Sequence, residues 1–409
     1  MCRKTVVQWF LALCVAAVTT TGSVAFAQSK QAMTADRNRM VDEEIAAVGV
    51  RNPRVLEAMR QTPRHEFVPL VQRKYAYFDM ALPIGDSQTI SPPFIVAYMT
   101  EQIDPQPEDN VLEIGTGSGY QAAVLSGLVR EVYTIEIVAA LGQRATKTLQ
   151  QLGYRNVHTK IGDGFLGWPE KAPFDKIIVT CSPEKVPKPL VEQLKEGGRM
   201  VVPVGERYQQ TMYLLKKVDG KLVQESLRPT LFVPMTGQAE DQRQILPDPL
   251  RPEIRNGDFE ETAGDPPAPV GWHYARQMEL VTASDAPSGK NYVTFKNAMS
   301  GRGSQALQGM GIDGRKVKQI EISLWVRGDD LRPGPGSKLG RVLVVFYDEN
   351  RAPLGEAVVG PWHGTFPWQP ESKRISVPQR TREAIVEIGL LGGLGEMSLD
   401  KVQLKVVNK

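Results

Sequence analysis

From about residue 36 to residue 235, short continuous apolar runs alternate with stretches of helical spacing. Val111-Leu112-Glu113-Ile114, Val132-Tyr133-Thr134-Ile135, Lys176-Ile177-Ile178-Val179-Thr180 and Met200-Val201-Val202-Pro203-Val204 read as strands covered on both faces, the pattern of a parallel sheet. Tyr120 to Leu128, Val138 to Leu152 and Leu190 to Lys195 carry helical periodicity, the last stopped by Gly197-Gly198. Strands alternating with helices predict an α/β domain.

The pattern changes near residue 240. Residues 241–252 hold three prolines and no periodicity, which predicts a semi-rigid linker. Beyond it helical signals nearly vanish. Gln319 to Val326, Arg341 to Tyr347, Lys373 to Val377, Ala384 to Leu390 and Met397 to Val406 read as short strands punctuated by Gly, Pro, Asn and Asp. That spacing predicts an all-β sandwich over 253–409.

The first residues read as an address. Arg3 and Lys4 precede an apolar stretch from Val6 to about Val18, and Ala25-Phe26-Ala27 offers a small-residue cleavage site before Gln28. This predicts a secretory signal over 1–27, with export to the periplasm. The apolar run is short for a spanning helix. Cleavage removes Cys2 and Cys14 and leaves Cys181 as the mature chain's one cysteine, so no intrachain disulfide forms. The 49 basic and 46 acidic residues nearly balance, and no dense Lys/Arg tract calls for nucleic acid.

Glu113-Ile114-Gly115-Thr116-Gly117-Ser118-Gly119-Tyr120 lies between a predicted strand and a predicted helix. Glycines there allow a tight turn and close approach of a ligand to the backbone. A dinucleotide fingerprint would space the third glycine one residue later, and a Walker loop would end in Gly-Lys-Ser/Thr. G-x-G-x-G with Glu113 before it suits S-adenosylmethionine, whose amino and sulfonium groups are cationic. Glu136 ends the next strand, where a carboxylate can accept hydrogen bonds from both ribose hydroxyls. Asp163, flanked by Gly162 and Gly164, can reach an adenine amino group.

These residues, with Pro83-Ile84-Gly85-Asp86-Ser87-Gln88-Thr89-Ile90-Ser91-Pro92-Pro93, Pro63 to Pro69, Phe174 to Val179, Val201 to Gly205 and Phe232 to Thr236, resemble the protein-L-isoaspartate O-methyltransferase family. The resemblance covers about 36–240. It implies a class I, Rossmann-like methyltransferase sheet, with Phe232 to Thr236 as its final strand. It also implies S-adenosylmethionine as cofactor and L-isoaspartyl residues of damaged proteins and peptides as substrate. Methylation of the isoaspartyl α-carboxylate is followed by collapse to a succinimide, which can hydrolyse to a normal aspartyl linkage. By the same resemblance Ser91 is the active-site serine. Gly115, Gly117, Glu136, Asp163 and Gly164 match the family's cofactor positions; Gln88, Thr89, Glu113 and Gly119 complete the expected cofactor-binding set, and no metal-ligand spacing is found in this half. A carboxylic acid of pKa about 4 is already ionised at neutral pH. The substrate therefore needs no general base, and the expected role of Ser91 is to orient its carboxylate. His65 is expected to make a structural hydrogen bond or to approach substrate, and Cys181 to be inert core.

Asn256 to Glu260, Gly271-Trp272, Ile322 to Gly328 and Ser398 to Leu404 resemble galactose-binding-like jelly-roll modules, including many carbohydrate-binding modules. Glu260 and Asp400 could ligate a structural calcium or be ordinary carboxylates. Trp362 and Trp368 could stack on sugars or pack in the core, and core packing is expected more strongly of Trp272 and Trp325. The sandwich would then bind a glycan, bind a protein or guide large substrates. The competing readings are a class I methyltransferase for another carboxylate or small molecule, and an exported binding protein whose methyltransferase fold is idle. Export leaves the supply of cytoplasmic S-adenosylmethionine as the open question.

Overall fold

The computed structural model describes residues 31–244, 246–263, 267–299, 303–334 and 337–407; the predicted leader lies outside them. Residues 31–39 are helical (α1) and run into a π-turn at Met40–Ala46. Helix α2 (Pro53–Gln61) follows, started by Pro53 and by the Asn52 side chain, which accepts from the N–H groups of Arg54 and Val55. A hairpin of β1 (Leu82–Gly85) and β2 (Gln88–Ile90) then leads through Ser91 into α3 (Pro93–Ile103).

Next come β3 (Asn110–Ile114), α4 (Tyr120–Ser126), β4 (Glu131–Glu136), α5 (Ala139–Gln151), β5 (Val157–Ile161), β6 (Phe174–Val179), α6 (Lys188–Gln193), β7 (Leu194–Glu206), β8 (Gln209–Val218), β9 (Lys221–Thr230) and α7 (Gln238–Asp241). One seven-stranded sheet has the order β5-β4-β3-β6-β7-β8-β9. The strands from β5 to β7 pair in parallel, and β8 and β9 close the edge antiparallel. Val111, Val132, Ile178 and Val201 face one core, while Leu112, Ile114, Ile177 and Val202 face another. The chain builds outward from β3 to β5 and then returns to β3's other side at β6. That reversal opens a crevice at the carboxyl ends of β3 and β6.

Two predicted elements differ. Helix α6 ends at Gln193, and Leu194 already pairs with Phe174 across the β6–β7 ladder. Burial of Leu194 at 1% exposure overrides its helical spacing. Phe232 to Thr236 is not a strand. It makes one parallel bridge, Ser182 with Pro234, where proline has no N–H to extend a ladder. The sheet's last strand is β9, which carries too many exposed polar positions to stand out as apolar.

The C-terminal region begins with a two-residue pair, β10 (Thr262–Ala263) and β11 (Ala268–Pro269). It continues with β12 (His273–Arg276), β13 (Met278–Thr282), β14 (Asn291–Asn297), β15 (Gln305–Gly311), β16 (Gln319–Arg332), β17 (Arg341–Tyr347), β18 (Pro353–Val359), β19 (Gly364–Ser376), β20 (Glu383–Gly389) and β21 (Leu394–Val406). Two five-stranded sheets, β12-β15-β20-β17-β18 and β13-β14-β21-β16-β19, enclose one core. All of their pairings are antiparallel. Period-two alternation builds that core: Ile320, Ile322, Leu324 and Val326 point in, and Ser323, Trp325 and Arg327 point out. Trp325 is thus on the outer face rather than in the core. Trp272 and Trp362 are buried.

The two regions are closely joined. Arg243 is buried against the carbonyls of Ser182 and Gly205. Arg276 of β12 is ion-paired with Asp79, both buried, and its guanidinium stacks on Phe94 of α3 at 4.6 Å. The other oxygen of Asp79 accepts the Phe94 N–H at 2.8 Å, in the first turn of α3. The Tyr274 hydroxyl donates to the Leu231 carbonyl, and the His273 ring meets the Tyr208 carbonyl at 3.1 Å.

Candidate active site

A cavity lies in the crevice at the ends of β3 and β6. Its floor is Glu113 and the glycine loop, and one side is Glu136. Gln88, Thr89 and Ser91 form the front, and Pro234, Met235 and Thr236 complete the wall. The loop conformation depends on Gly115, whose φ is +99°; a Cβ there would lie 2.6 Å from the Thr180 hydroxyl. That hydroxyl sits 2.9 and 2.8 Å from the carbonyls of Ile114 and Gly115 and locks the turn. Thr116 and Thr134 share a buried hydrogen bond of 2.7 Å behind it.

Eight of the predicted residues meet in this wall: Gln88, Thr89, Ser91, Glu113, Gly115, Gly117, Glu136 and Gly164. Glu136 is held by two backbone donors, Gly117 N–H at 2.8 Å and Val138 N–H at 2.9 Å. Gly119 lies behind the loop, where it starts α4 and packs against Leu149. Asp163 is outside the wall as well. One of its oxygens accepts the Phe165 N–H and the other the Gln238 N–H, each at 2.9 Å, so it staples the β6-side loop to the start of α7.

His65 stands away from the cavity, 2.5 Å from the Tyr77 hydroxyl and 3.2 Å from Glu66. Cys181 does line the wall, with its thiol pKa pushed up by burial and by neighbouring carboxylates. Sequence reasoning passed over Gln121, Thr180 and Thr236. Gln121 carried a readable signal, a lone amide on the otherwise apolar first turn of α4. Its Nε2 donates to Thr100 at 2.9 Å, and its buried Oε1 has no partner among the described residues.

The most informative group is Glu113. It is fully buried, and neither carboxylate oxygen has a hydrogen-bond partner among the described residues. Burial pushes its pKa up to about 8; the Thr134 hydroxyl offsets part of that shift and the charge of Glu136 adds to it. An unpaired buried carboxylate is costly. A cationic ligand group in the cavity would relieve that cost, and the amino acid moiety of S-adenosylmethionine carries one. The residues present therefore fit the cofactor that the glycine spacing predicted. The Glu260 and Asp400 carboxylates of the sandwich instead accept backbone N–H groups. Among the described residues no group of three or more His, Cys, Asp or Glu is placed to hold a metal ion.

Known proteins resemble the chain over this region. The model of the protein-L-isoaspartate(D-aspartate) O-methyltransferase family matches residues 35–240. The chain is 53% identical over 198 residues to a protein-L-isoaspartate O-methyltransferase of Gloeobacter violaceus, covering 48% of this chain and 97% of that one. A solved protein-L-isoaspartate O-methyltransferase aligns at 30% identity over 55% of this chain and 75% of its own, with a TM-score of 0.46. A Plasmodium falciparum structure in complex with S-adenosyl-L-homocysteine aligns at 22% identity, over 49% of this chain and 98% of its own, with a TM-score of 0.44. The chain belongs to the protein-L-isoaspartate(D-aspartate) O-methyltransferase family, enzymes that use S-adenosylmethionine to methylate isoaspartyl carboxylates in proteins.

Proposed function

We propose that this cavity performs isoaspartyl methylation with Glu113 as the anchor for the cofactor's ammonium group, Glu136 as the acceptor for its ribose hydroxyls and Ser91 as the orienting residue for the substrate carboxylate. The observation that carries the reading is the unpaired, buried Glu113 in the same wall as Ser91. S-adenosylmethionine supplies an electrophilic methyl group and a neutral thioether as leaving group. The glycine loop and Gly164 keep the wall free of side chains where the cofactor would lie. Asp163 contributes by holding the Gly237–Gln238 segment, next to the wall residue Thr236. The Ser91 hydroxyl makes no hydrogen bond to another described residue and is free to donate to an incoming carboxylate. Orientation is the help that an already ionised nucleophile needs.

Tritiated-methyl transfer to paired isoaspartyl and aspartyl peptides tests this. Base-labile label appears only on the isoaspartyl peptide. Ser91→Ala lowers turnover by about tenfold or more, the worth of a hydrogen bond to a charged group, with cofactor affinity unchanged. Wild-type turnover in that variant would remove Ser91 from the reaction.

The same reading includes a jelly-roll C-terminal module that guides large protein substrates, and export to the periplasm directed by residues 1–27. Support for guidance comes from the tight junction between the sandwich and α3. Support for export is the basic, apolar and small-residue pattern before Gln28. Cell fractionation with N-terminal sequencing tests export; a cytoplasmic chain beginning at Met1 would refute it.

A further inference from the structure

A second cleft opens beside the active-site cavity, between the methyltransferase region and the sandwich. The two share Gln88, Pro234 and Thr236, so the cleft is an extension of the active site. One side is the tip of the β1–β2 hairpin and Arg207. The other is the turn between β17 and β18, with Glu349, Asn350 and Arg351. We infer that this cleft holds the polypeptide flanking the isoaspartyl residue, and that Glu349 and Asn350 read that flank, favouring a basic side chain. The inference deepens the isoaspartyl reading above and rests on it.

The cleft is rigid enough to select. Asp348, buried at 4% exposure, accepts the N–H groups of Asn350 at 3.0 Å and Ala352 at 2.9 Å and pairs with Arg380 at 2.7 Å. Arg351 is tied to buried Glu383 at 2.9 Å, and Glu383 also accepts from Tyr208 of the methyltransferase sheet at 3.2 Å. On the facing side Asp86 is paired with Arg144 at 2.6 Å, and Arg207 with Glu240. The charged side chains lining the cleft are thus ion-paired except Glu349, whose charge acts only at a distance on Arg315, itself paired with Asp313. Glu349 and Asn350 are exposed, and neither side chain has an ion-pair or hydrogen-bond partner among the described residues. An exposed carboxylate without an ion pair and an amide without a hydrogen-bond partner among the described residues, at fixed positions, suit a cationic side chain and a peptide group.

The test uses the full chain and two isoaspartyl peptides that differ only in a Lys or a Glu near the isoaspartyl residue. Wild-type protein shows the higher kcat/KM on the Lys peptide, through KM. Glu349→Lys shifts the ratio of the two by about fivefold toward the Glu peptide, the scale of exposed ion pairs, with S-adenosylmethionine affinity unchanged. The wild-type preference shrinks in 1 M salt. Equal ratios in wild type and variant, with both peptides methylated, overturn the inference while leaving the isoaspartyl reading intact. Methylation of neither peptide by wild-type protein overturns both.

Discussion

Glu113 of the methyltransferase region and Asp400 of the sandwich are both fully buried carboxylates on strands. Asp400 accepts the N–H groups of Ser288 at 2.7 Å and Lys401 at 2.5 Å. Burial raises its pKa to about 6, against the pull of those two bonds, with Asp258 and Glu260 adding to the rise. Neither Glu113 oxygen has a partner within hydrogen-bond geometry among the described residues, and the residue faces a cavity. The difference separates a carboxylate that organises backbone from one that the proposed function assigns to a ligand. A third buried carboxylate, Asp79, is ion-paired with Arg276 of the sandwich. The two regions are therefore coupled at the helix that follows Ser91.

The largest effect is expected at that coupling. Arg276→Ala leaves Asp79 buried without its partner, which costs about 3–5 kcal/mol. Urea unfolding of the full chain should show it, along with reduced turnover as the α3 start loosens. Adding Asp79→Asn removes the stranded charge and should recover part of the stability. An Arg276→Ala protein as stable as wild type would mean that Asp79 is satisfied from within the methyltransferase region.

Next comes Glu113 itself. Glu113→Gln keeps the shape and removes the charge, and S-adenosylmethionine affinity should fall about 100-fold, on the scale of a lost charge-assisted contact. The unliganded protein should not lose stability at neutral pH, and this is what distinguishes Glu113 from Asp400. The pH dependence has a definite sign. Since the folded pKa lies near 8 and the unfolded value at 4.5, Glu113 destabilises the empty protein progressively as pH rises from about 4.5 to 8. Cofactor affinity should rise over pH 6 to 8 as the carboxylate ionises and level off above. Calorimetry in buffers of different ionisation enthalpy should detect proton release on binding, absent in Glu113→Gln.

Much of this site was legible beforehand because its constraints are local. The glycine loop and Glu136 sit at fixed offsets along one strand–turn–helix unit. The Gln88 to Ser91 hairpin carried its own motif. Other features needed three dimensions. The burial of Glu113 depends on neighbouring strands and the cavity wall. Asp163 is tied to Gln238, distant in sequence, a contact that no local pattern shows. In the sandwich the strands with strong alternation were readable, whereas β12 to β15 and β18 were not. β13 illustrates the reason: it is an edge strand with no buried residue.

A smaller effect is expected from His273, which is buried and whose pKa falls to about 4 through desolvation, partly offset by the Tyr208 carbonyl. A folded pKa below the unfolded 6.5 means that its contribution is present above pH 6.5 and is lost as pH falls toward 4. The loss should reach about 2 kcal/mol, somewhat under the full value for such a shift. His273→Gln should flatten the acid limb of the stability profile. An unchanged acid limb would place the sensitivity elsewhere.

The smallest effect is expected at Trp368, the residue that bears on whether the sandwich's aromatics serve packing or a ligand. Trp368 is half-buried on the outer face; the Arg327 guanidinium lies 4.8 Å from its ring centre, and Tyr292 meets it edge-on at 5.2 Å. One face is already taken, and the buried indole N–H has no partner among the described residues. Trp368→Ala should cost about 0.5–1 kcal/mol, the worth of the cation–π contact. Trp368→Phe keeps an aromatic ring under Arg327 and removes the orphaned donor, so its stability should match wild type. Methyl transfer should be unaffected in both. A glycan-array signal present in wild type and lost in Trp368→Phe, at equal stability, would reverse the comparison by making the sandwich a ligand-binding region in its own right.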